Sequence, residues 1–284
     1  MTTTMSARPA TAELREPARP AYRVTGLRVL RSEWGKFWSL RSSWITLGIT
    51  LLLLVAIGAI ASATYSPGAT ASSGPPGPGS GSPSDAVSLA LLGSTFASLA
   101  IGALGVLVSA GEYTTGMIRS TLAAVPARLP VLWSKSAVFA AIATPVATAG
   151  AIAAFSLGSL GLHGQQIALS LGADGVLRSL VGAGLYLGLV GLAGVALGTL
   201  IRSSAGAIAV LVGILLIVPG LTQLLPGSWA DNVSPYLPSN AGQAVMSLHQ
   251  SASSLSPWAG LAVFAGWVAL ALAGAAYRLV RTDA

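Results

Sequence analysis

The sequence contains no cysteine and only two histidines, His163 and His249, which are far apart in the chain. Without cysteine there is no disulfide framework, no thiolate metal site and no thiol nucleophile. Two distant histidines offer little to a metal cluster. We therefore predict that the chain itself holds no metal and no cofactor.

Charged residues are also scarce: they make up 8% of the chain, whereas 53% is hydrophobic and the mean hydropathy is +0.75. A soluble domain usually carries about 25% charged residues. A chain with so little charge cannot cover a water-soluble surface. The composition predicts an integral membrane protein, so the usual estimate of domain number from chain length does not apply.

Apolar runs of the length that a membrane helix needs, about 20 residues, occur in six places. None of the six contains Asp, Glu, Lys, Arg or His. The predicted fold is therefore an all-α integral membrane protein with six transmembrane helices. The predicted spans are Ile45–Ala63, Ala86–Ala110, Ala137–Leu162, Leu180–Leu200, Ala205–Leu225 and Pro257–Ala276.

The basic residues predict how these spans are oriented, because Lys and Arg in short connections favour the cytoplasmic side. With a cytoplasmic N-terminus, fourteen of the fifteen bases lie inside and only Arg178 lies outside. We predict that both termini are cytoplasmic, with 280–284 as a tail. The distribution explains the net charge of +7 without a nucleic-acid partner. The inside set is Arg8, Arg15, Arg19, Arg23, Arg28, Arg31, Lys36, Arg41, Arg119, Arg128, Lys135, Arg202, Arg278 and Arg281.

The segment before the first span has two parts. Residues 1–22 are polar and rich in Thr, Ala, Pro and Arg, which predicts a disordered cytoplasmic tail. Residues 23–43 predict an amphipathic helix at the cytoplasmic membrane interface, with Lys36 on its polar face and Arg41 near its end. A solvated lead-in is the alternative, which two tryptophans on one face disfavour. The apolar stripe is Leu27, Leu30, Trp34, Phe37 and Trp38.

The outer connections and the fourth span carry weaker signals. Residues 66–84 form a Pro/Gly/Ser linker. In the outer loop 226–256 a short helix over 239–249, starting near Pro238, either lies at or dips into the outer leaflet or is an ordinary loop helix. Two small-residue pairs in the fourth span permit close helix contact, within one subunit or between subunits. The pairs are Gly184 with Gly188 and Gly194 with Gly198.

The spans lack the groups that would drive transport or catalysis. Proton relays and ion sites at membrane depth commonly use ionisable residues, and the predicted spans contain none. Their polar groups include Ser94, Ser98 and Thr148, which are candidate lining residues of a transport pathway. No P-loop of the form G-x-x-x-x-G-K-[ST] is present. We predict that the chain is not an enzyme and that energy for uphill movement of a solute enters from outside it.

One cytoplasmic connection, 111–136, is longer and more charged than a turn requires. Thr114 or Thr115 is a candidate cap for a short helix, on which Ile118, Leu122 and Val125 share a face. Pro126 is expected to stop the helix, and Pro130 suits the first turn of the next one. Glu112 and Arg119 are seven residues apart and would share a side if the helix began early enough. We predict a docking site for a cytoplasmic partner.

Two motifs resemble the ABC-2 type transporter permeases. The first is R-x-E-x-x-K-F-x-x-L-R-S-x-W, from Arg31 to Trp44, which is similar to the N-terminal segment of those permeases. The second is E-x-x-x-G-x-x-R-x-x-L-x-x-x-P, which is similar to the loop after their second span. Its residues are Glu112, Gly116, Arg119, Leu122 and Pro126. The six-span plan and the run LPSNAGQA at 237–244 are also similar.

The resemblance implies a function beyond what the residues themselves predict. It implies that 44–279 form a six-span permease domain, that 23–43 form a connecting helix, and that the 111–136 loop holds a coupling helix. That helix would seat in a separate ABC-type ATP-binding subunit, where ATP and Mg²⁺ are bound. A second permease copy, identical or different, would complete an exporter of a drug, antibiotic, lipid or other small amphiphile in the bacterial plasma membrane.

Two other functions remain open. The chain could be a membrane anchor or assembly protein that recruits a cytoplasmic partner through the same loop. It could also be a stand-alone secondary carrier.

Overall fold

The structure is a computed structural model that describes residues 25–66, 85–222, 224, 232–249 and 254–281. These residues form helices and contain no strand, and six helices are long and apolar enough to cross a membrane. The predicted tail 1–22 and nearly all of the predicted 66–84 linker lie outside the described residues. The six long helices are α2 (Arg41–Ala63), α4 (Ser94–Thr114), α6 (Leu129–Gly161), α7 (Val176–Ile201), α8 (Ser204–Thr222) and α10 (Pro257–Arg281).

Shorter α-helices lie between or before these six. They are α1 (Gly26–Ser39), α3 (Ala86–Ala90), α5 (Met117–Ala124) and α9 (Pro238–Gln243). For the described residues, the prediction of an all-α fold with six helices of membrane-spanning length is confirmed.

Helix α7 lies at the centre and packs against α4, α6 and α10. Its glycines let neighbouring backbones approach closely, which is how helices associate in lipid. A Cβ atom at Gly184 would lie 2.8 Å from the Cα of Thr148 on α6, and one at Gly198 would lie 2.8 Å from the carbonyl oxygen of Val106 on α4. Both glycine pairs of this span therefore pack within the chain, and the subunit-interface interpretation of them is wrong.

Helices α2, α8 and α10 lie at the periphery. Less than a third of the most apolar stretch of each of these helices is buried inside the chain. Their remaining surface is apolar and faces away from the chain's own core. These faces are therefore the ones that lipid or another membrane chain would contact.

The second predicted span, 86–110, is not one helix. Asp85 caps α3 through reciprocal bonds with Ser88, whose backbone N–H donates to Asp85 Oδ1 at 2.8 Å. The chain then turns at 91–93, and α4 begins at Ser94. Glycine is needed at Gly93 because a Cβ atom there would lie 2.8 Å from the Cα of Leu54. The prediction of a continuous span was wrong because the apolar run hides this turn.

Helix α6 begins at Leu129, eight residues before the predicted start at Ala137, and it contains Lys135. A helix of 33 residues is about 50 Å long at 1.5 Å per residue. The hydrocarbon core of a bilayer is about 30 Å thick, so α6 extends well beyond it. The predicted 111–136 loop is correspondingly shorter, because α4 continues to Thr114 and α6 takes up the last eight residues.

The segment 23–43, predicted as an interfacial helix, contains the helix α1, which ends earlier than predicted. Leu40 has an extended backbone (φ −84°, ψ 106°) and separates α1 from α2. The other predicted spans differ from the observed helices by five residues or fewer at each end.

The outer helix predicted over 239–249 is shorter in the structure. Helix α9 starts at Pro238, and a 3₁₀ turn over Ala244–Met246 follows it. A Cβ atom at Gly242 would lie 2.5 Å from Tyr186. Tyr186 lies about 15 Å along α7 from the first residue of that helix, Val176. This depth favours the interpretation in which the segment dips between the spans.

Candidate functional site

Four charged side chains meet at one end of the bundle, and we call them the charge cluster. Glu33 and Lys36 come from α1, Glu112 from the last turn of α4, and Lys135 from the first turns of α6. Glu33, Glu112 and Lys135 are each at most 6% exposed, and the side chain of Lys36 is 25% exposed. The cluster thus ties three helices together away from most of the solvent.

Each lysine of the charge cluster bridges both carboxylates. Lys36 Nζ lies 2.6 Å from Glu33 Oε1 and 3.0 Å from Glu112 Oε1. Lys135 Nζ lies 2.8 Å from Glu33 Oε2 and 2.9 Å from Glu112 Oε1. The two positive and two negative charges balance, which is the condition under which buried charges are tolerated.

Both ammonium groups have three acceptors for their three N–H bonds. Lys135 Nζ also donates to the carbonyl oxygen of Val108 at 3.3 Å, and Lys36 Nζ also donates to Thr121 Oγ1 on α5 at 3.5 Å. Glu112 Oε2 is buried and has no partner. Glu112 and Lys135 line a small cavity together with Ser109, Tyr113 and Thr199.

Apolar contacts hold α1 in the position that directs Glu33 inward. Phe37, 3% exposed, meets Phe139 of α6 edge-on, with 6.3 Å between the ring centroids. One turn before Glu33, Val29 packs with Val125 and with Val131 of α6. These positions recur every four residues on α1, so Glu33 is buried along with its apolar neighbours.

The ion pairs shift the pKa of both α1 groups. Burial alone raises the pKa of Glu33, but the attraction and hydrogen bonds of Lys135 and Lys36 outweigh it, and the pKa lies below the ordinary value. Burial alone lowers the pKa of Lys36, but hydrogen bonding and attraction to Glu33 and Glu112 outweigh it, and the pKa lies above the ordinary value. Both groups are therefore charged at neutral pH.

The structure places the five predicted coupling residues in different environments. Glu112 belongs to the charge cluster, and Leu122 is half-buried against Val29, Val125 and Val131. Arg119 and Pro126 are exposed, and Gly116 is exposed in the turn that starts α5. The apolar face of α5 is thus turned towards α1 and α6, and the opposite face is open.

Two details of this segment differ from the predictions. The residue before α5 is Gly116, with φ 73°, and the hydroxyls of Thr114 and Thr115 donate back to the carbonyl oxygen of Gly111 instead of capping α5. Glu112 and Arg119 lie on different helices, α4 and α5, so the expected shared side does not form. The reason is the left-handed backbone at Gly116, which ends α4 and redirects the chain.

The turn into α6 has an unusual backbone at Arg128, with φ 53° and ψ −52°. The N–H of Leu129 donates to the carbonyl oxygen of Ala127 at 2.5 Å, which makes a γ-turn of the rarer, strained hand. The guanidinium of Arg128 donates to the carbonyl oxygen of Leu279 on α10 at 3.2 Å. Pro130 follows in the first turn of α6, as predicted.

Other arginines gather at the same end. Arg202, at the end of α7, lies over the ring of Tyr113 at 5.2 Å, and Arg278 of α10 donates to the carbonyl oxygen of Leu200. By contrast, Arg178, at the start of α7, donates to the carbonyl oxygen of Ser247 beyond α9 at 3.0 Å, at the opposite end. The structure therefore separates Arg178 from these bases.

The predicted interfacial residues divide between two faces of α1. Trp34 and Trp38 are exposed, as is Arg41 at the start of α2. Phe37 is buried, and Lys36 points into the charge cluster instead of lying on a solvated face opposite the tryptophans. The inner face of α1 thus combines the apolar residues Val29 and Phe37 with charged Glu33 and Lys36, and its outer face carries the tryptophans.

The three candidate pathway residues lie in the packed part of the chain. Ser94 and Ser98 are buried, and the Ser98 hydroxyl donates to the carbonyl oxygen of Thr95 at 2.6 Å. Thr148 is half-buried, donates to the carbonyl oxygen of Thr144, and lies against Gly184. These contacts occur within one chain, and lining of a path between two copies stays a prediction.

Sequence reasoning missed Glu33 and Lys135 as site residues. Both were visible as charges close to apolar runs, and Glu33 stands inside a motif that was recognised. The signal that could have identified them is charge balance. Two acids and two lysines lie near the ends of three spans, where the other described bases are arginines. In the described part of the chain, no three His, Cys, Asp or Glu side chains gather as metal ligands. No model of a known protein family matches the chain, and no curated protein matches it.

Proposed function

We propose that the chain is the membrane-spanning permease subunit of an ATP-driven ABC-2 type exporter that works with a separate ATP-binding subunit. One observation carries this proposal. The two stretches that resemble ABC-2 permeases are 76 residues apart at Lys36 and Glu112, yet these side chains bond at 3.0 Å. Two motifs recognised separately are therefore parts of one physical site.

Helix α5 has one face open to a partner and the other face in contact with the helix bundle, so it is placed to transmit movement. A partner that docks on the open face of α5 meets Met117, which is 43% exposed, and Arg119. On the other face of α5, Ile118 is buried, Leu122 packs against the apolar group that includes Val29, and Thr121 reaches Lys36 of the charge cluster. Movement of α5 would thus act on α1, α4 and α6 together. In this proposal α5 is the cytoplasmic coupling helix, and α1 is the interfacial connecting helix.

The distribution of charge supports an external source of energy. Within the described spans, charged side chains stand in the first or last turns or, for Lys135, in the second turn of α6. Such positions do not form a proton or ion relay across the membrane. ATP and Mg²⁺ would bind in the partner subunit. The end that holds the charge cluster and most described bases would face the cytoplasm, with both termini.

The remaining parts of the proposal follow from the resemblance. The chain would be a multi-pass protein of a bacterial plasma membrane that pairs with a second permease copy, as a homodimer or a heterodimer. The substrate would be a drug, antibiotic, lipid or other small amphiphile. Its path would lie between the copies, near Ser94, Ser98 or Thr148.

A membrane anchor is the second candidate, because the same open face of α5 would serve to recruit a partner without transport. The charge cluster favours the exporter. An anchor needs a docking face but has no need of a charge network that links this face to three helices. A stand-alone secondary carrier is disfavoured by the position of the charges.

The test is to purify the tagged chain from membranes that also contain its ATPase partner and to compare it with the variant Arg119→Glu. We expect wild type to retain a protein with a Walker A motif and ATP hydrolysis, and we expect the chain alone to hydrolyse none. Charge reversal on the open face of α5 should reduce both retention and hydrolysis about tenfold, the effect of losing about 1.4 kcal/mol of binding.

The matched control is Arg178→Glu, which reverses a charge at the opposite end of the bundle. It should retain the partner like wild type. If Arg119→Glu and Arg178→Glu behave alike, α5 is not the docking helix. A retained partner without ATP-dependent flux in proteoliposomes would favour the anchor, and uphill flux through the chain alone would establish the carrier.

A further inference from the structure

The charge cluster contains both acids that the structure describes at this end of the bundle, so the exposed charges described there are positive. At this end of the bundle, the described acids are Glu33 and Glu112, and both are buried with the two lysines as partners. The other described acids, Asp85 and Asp174, precede α3 and α7 at the opposite end. Among the described residues, the exposed charge beside α1 is therefore carried by arginine, and a positively charged surface attracts anionic partners.

Three tryptophans form an exposed aromatic cluster beside these arginines. The rings of Trp34 and Trp38 lie 6.1 Å apart, and those of Trp38 and Trp44 lie 4.4 Å apart, across the break between α1 and α2. Trp44 Nε1 donates to the carbonyl oxygen of Trp38 at 3.3 Å. Each of the three is between 37% and 51% exposed. Clustered tryptophans are typical of the level of lipid headgroups.

The aromatic cluster continues into the outward face of a membrane span. On α2, Ile45 is 62% exposed and Leu52 is 65% exposed, so the apolar surface runs from Trp44 along the helix. A surface that continues the exposed apolar face of a helix of membrane-spanning length lies at the membrane and not in the aqueous phase. This continuity selects lipid, and not a soluble protein, as its occupant.

Two exposed arginines are placed to bind phosphate at this level. Arg31 precedes Trp38 by seven residues, which is two helical turns and so the same side of α1. Arg41 lies between Trp38 and Trp44 in the chain, at the first residue of α2. A guanidinium binds phosphate oxygens through two parallel hydrogen bonds, which favours arginine over lysine for this contact.

The charge cluster also sets the direction in which this face points. Glu33 and Lys36 hold one side of α1 against α4 and α6, so α1 cannot rotate without breaking buried ion pairs. The tryptophans and Arg31 are consequently presented outward before any lipid arrives. Preorganisation of this kind reduces the entropy lost on binding.

We propose that Trp34, Trp38 and Trp44 with Arg31 and Arg41 form a binding site for anionic phospholipid, whose phosphate meets the arginines while its acyl chains lie along α2. The proposal needs the chain to be in a membrane and is independent of any ATPase partner. Its failure would leave the exporter proposal standing.

The test uses the full chain in vesicles of phosphatidylcholine mixed with phosphatidylglycerol, in which one lipid at a time carries brominated acyl chains that quench tryptophan on contact. We expect brominated phosphatidylglycerol to quench more than brominated phosphatidylcholine at equal mole fraction. The variant Arg31→Gln/Arg41→Gln should lose this preference, by about fivefold per arginine. High salt should weaken the preference as well, because it screens exposed charges.

Two further variants locate the site. In Trp34→Phe/Trp38→Phe/Trp44→Phe the remaining tryptophans report lipid elsewhere, and the preference for phosphatidylglycerol should disappear from the signal. Arg178→Gln, at the opposite end, should keep the wild-type preference. Equal quenching by the two lipids in wild type would overturn the proposal, as would a preference that survives the arginine or tryptophan substitutions.

Discussion

Replacement of Lys135 by methionine removes one charge from the interior and leaves its partners in place. Lys135 is 6% exposed and donates to Glu33, Glu112 and the carbonyl oxygen of Val108. Methionine has a similar length and no charge, so packing is largely kept. After the change, two buried carboxylates share Lys36, and the charge cluster carries a net negative charge. The free energy of unfolding should therefore fall.

The magnitude follows from burial. Breaking a buried ion pair by removing one partner costs about 3–5 kcal/mol, because an uncompensated charge remains away from water. Lys36→Met should cost less, about 1–3 kcal/mol, since the Lys36 side chain is 25% exposed and water can reach the groups that it leaves. The exposed control Arg119→Met should change the free energy by less than about 0.5 kcal/mol.

The assay is unfolding of the full chain in mixed micelles by increasing SDS, followed by tryptophan fluorescence. A second substitution tests the cause. Adding Glu33→Gln to Lys135→Met restores charge balance and should recover about 0.5–3 kcal/mol, which is the range of coupling between residues in contact. If Glu33→Gln destabilises Lys135→Met further, or if Lys135→Met costs no more than Arg119→Met, the charge cluster is not a buried network.

Two further predictions concern pH and helix packing. The pKa of Glu33 lies below its ordinary value of 4.5, so the stabilisation by ionised Glu33 is fully present above pH 4.5 and is lost as the pH falls through the lowered pKa. The pKa of Lys36 lies above its ordinary value of 10.5, so the stabilisation by charged Lys36 is lost only as the pH rises through the raised pKa. The stability difference between wild type and Glu33→Gln, measured in micelles, should thus be constant between these values and shrink in acid; a change near pH 7 would contradict this assignment. Gly184→Leu should destabilise the chain by at least about 2 kcal/mol through overpacking against Thr148. The control Gly266→Leu, at a glycine whose Cβ atom would meet nothing within 4 Å, should be tolerated. If SDS unfolding shows equal losses of stability for the two variants, α6 and α7 do not pack as described.

The six long helices could be predicted because a bilayer span needs a long apolar run, and such runs are visible without tertiary information. Helix ends were harder to predict. The run 86–110 conceals a break at Gly93, which depends on contact with Leu54. The start of α6 was placed too late because Lys135 was counted as part of a loop, and only its partners make a lysine stable inside the helix bundle.

The charge cluster itself could not be derived from the spacing of residues. Glu112 and Arg119 were expected to share a side only if one helix began early enough to include both, and the positive φ of Gly116 breaks the chain into two helices. Its real partners, Lys36 and Lys135, lie 76 and 23 residues away. Contacts over such distances depend on how α1, α4 and α6 pack, and that information is tertiary.

The backbone at both ends of α5 bears on how a docked partner would act. Gly116 at one end has φ 73°, and Arg128, in the turn before α6, has φ 53° and ψ −52°. Neither neighbouring helix continues through these residues, so α5 is joined to α4 and α6 by single turns and not by rigid helix. Changes in backbone angle concentrate at such positions when elements move.

The contacts of α5 with the rest of the bundle differ in strength. Its single hydrogen bond to the charge cluster, from Lys36 to Thr121, is long at 3.5 Å, whereas Ile118 is buried and Leu122 packs against the apolar group that includes Val29. A displacement of α5 would therefore be transmitted to α1 mainly through apolar packing. The ion pairs would then make α1, α4 and α6 respond as one unit. Thr121→Val should accordingly leave coupled transport almost unchanged, while Leu122→Ala should impair it.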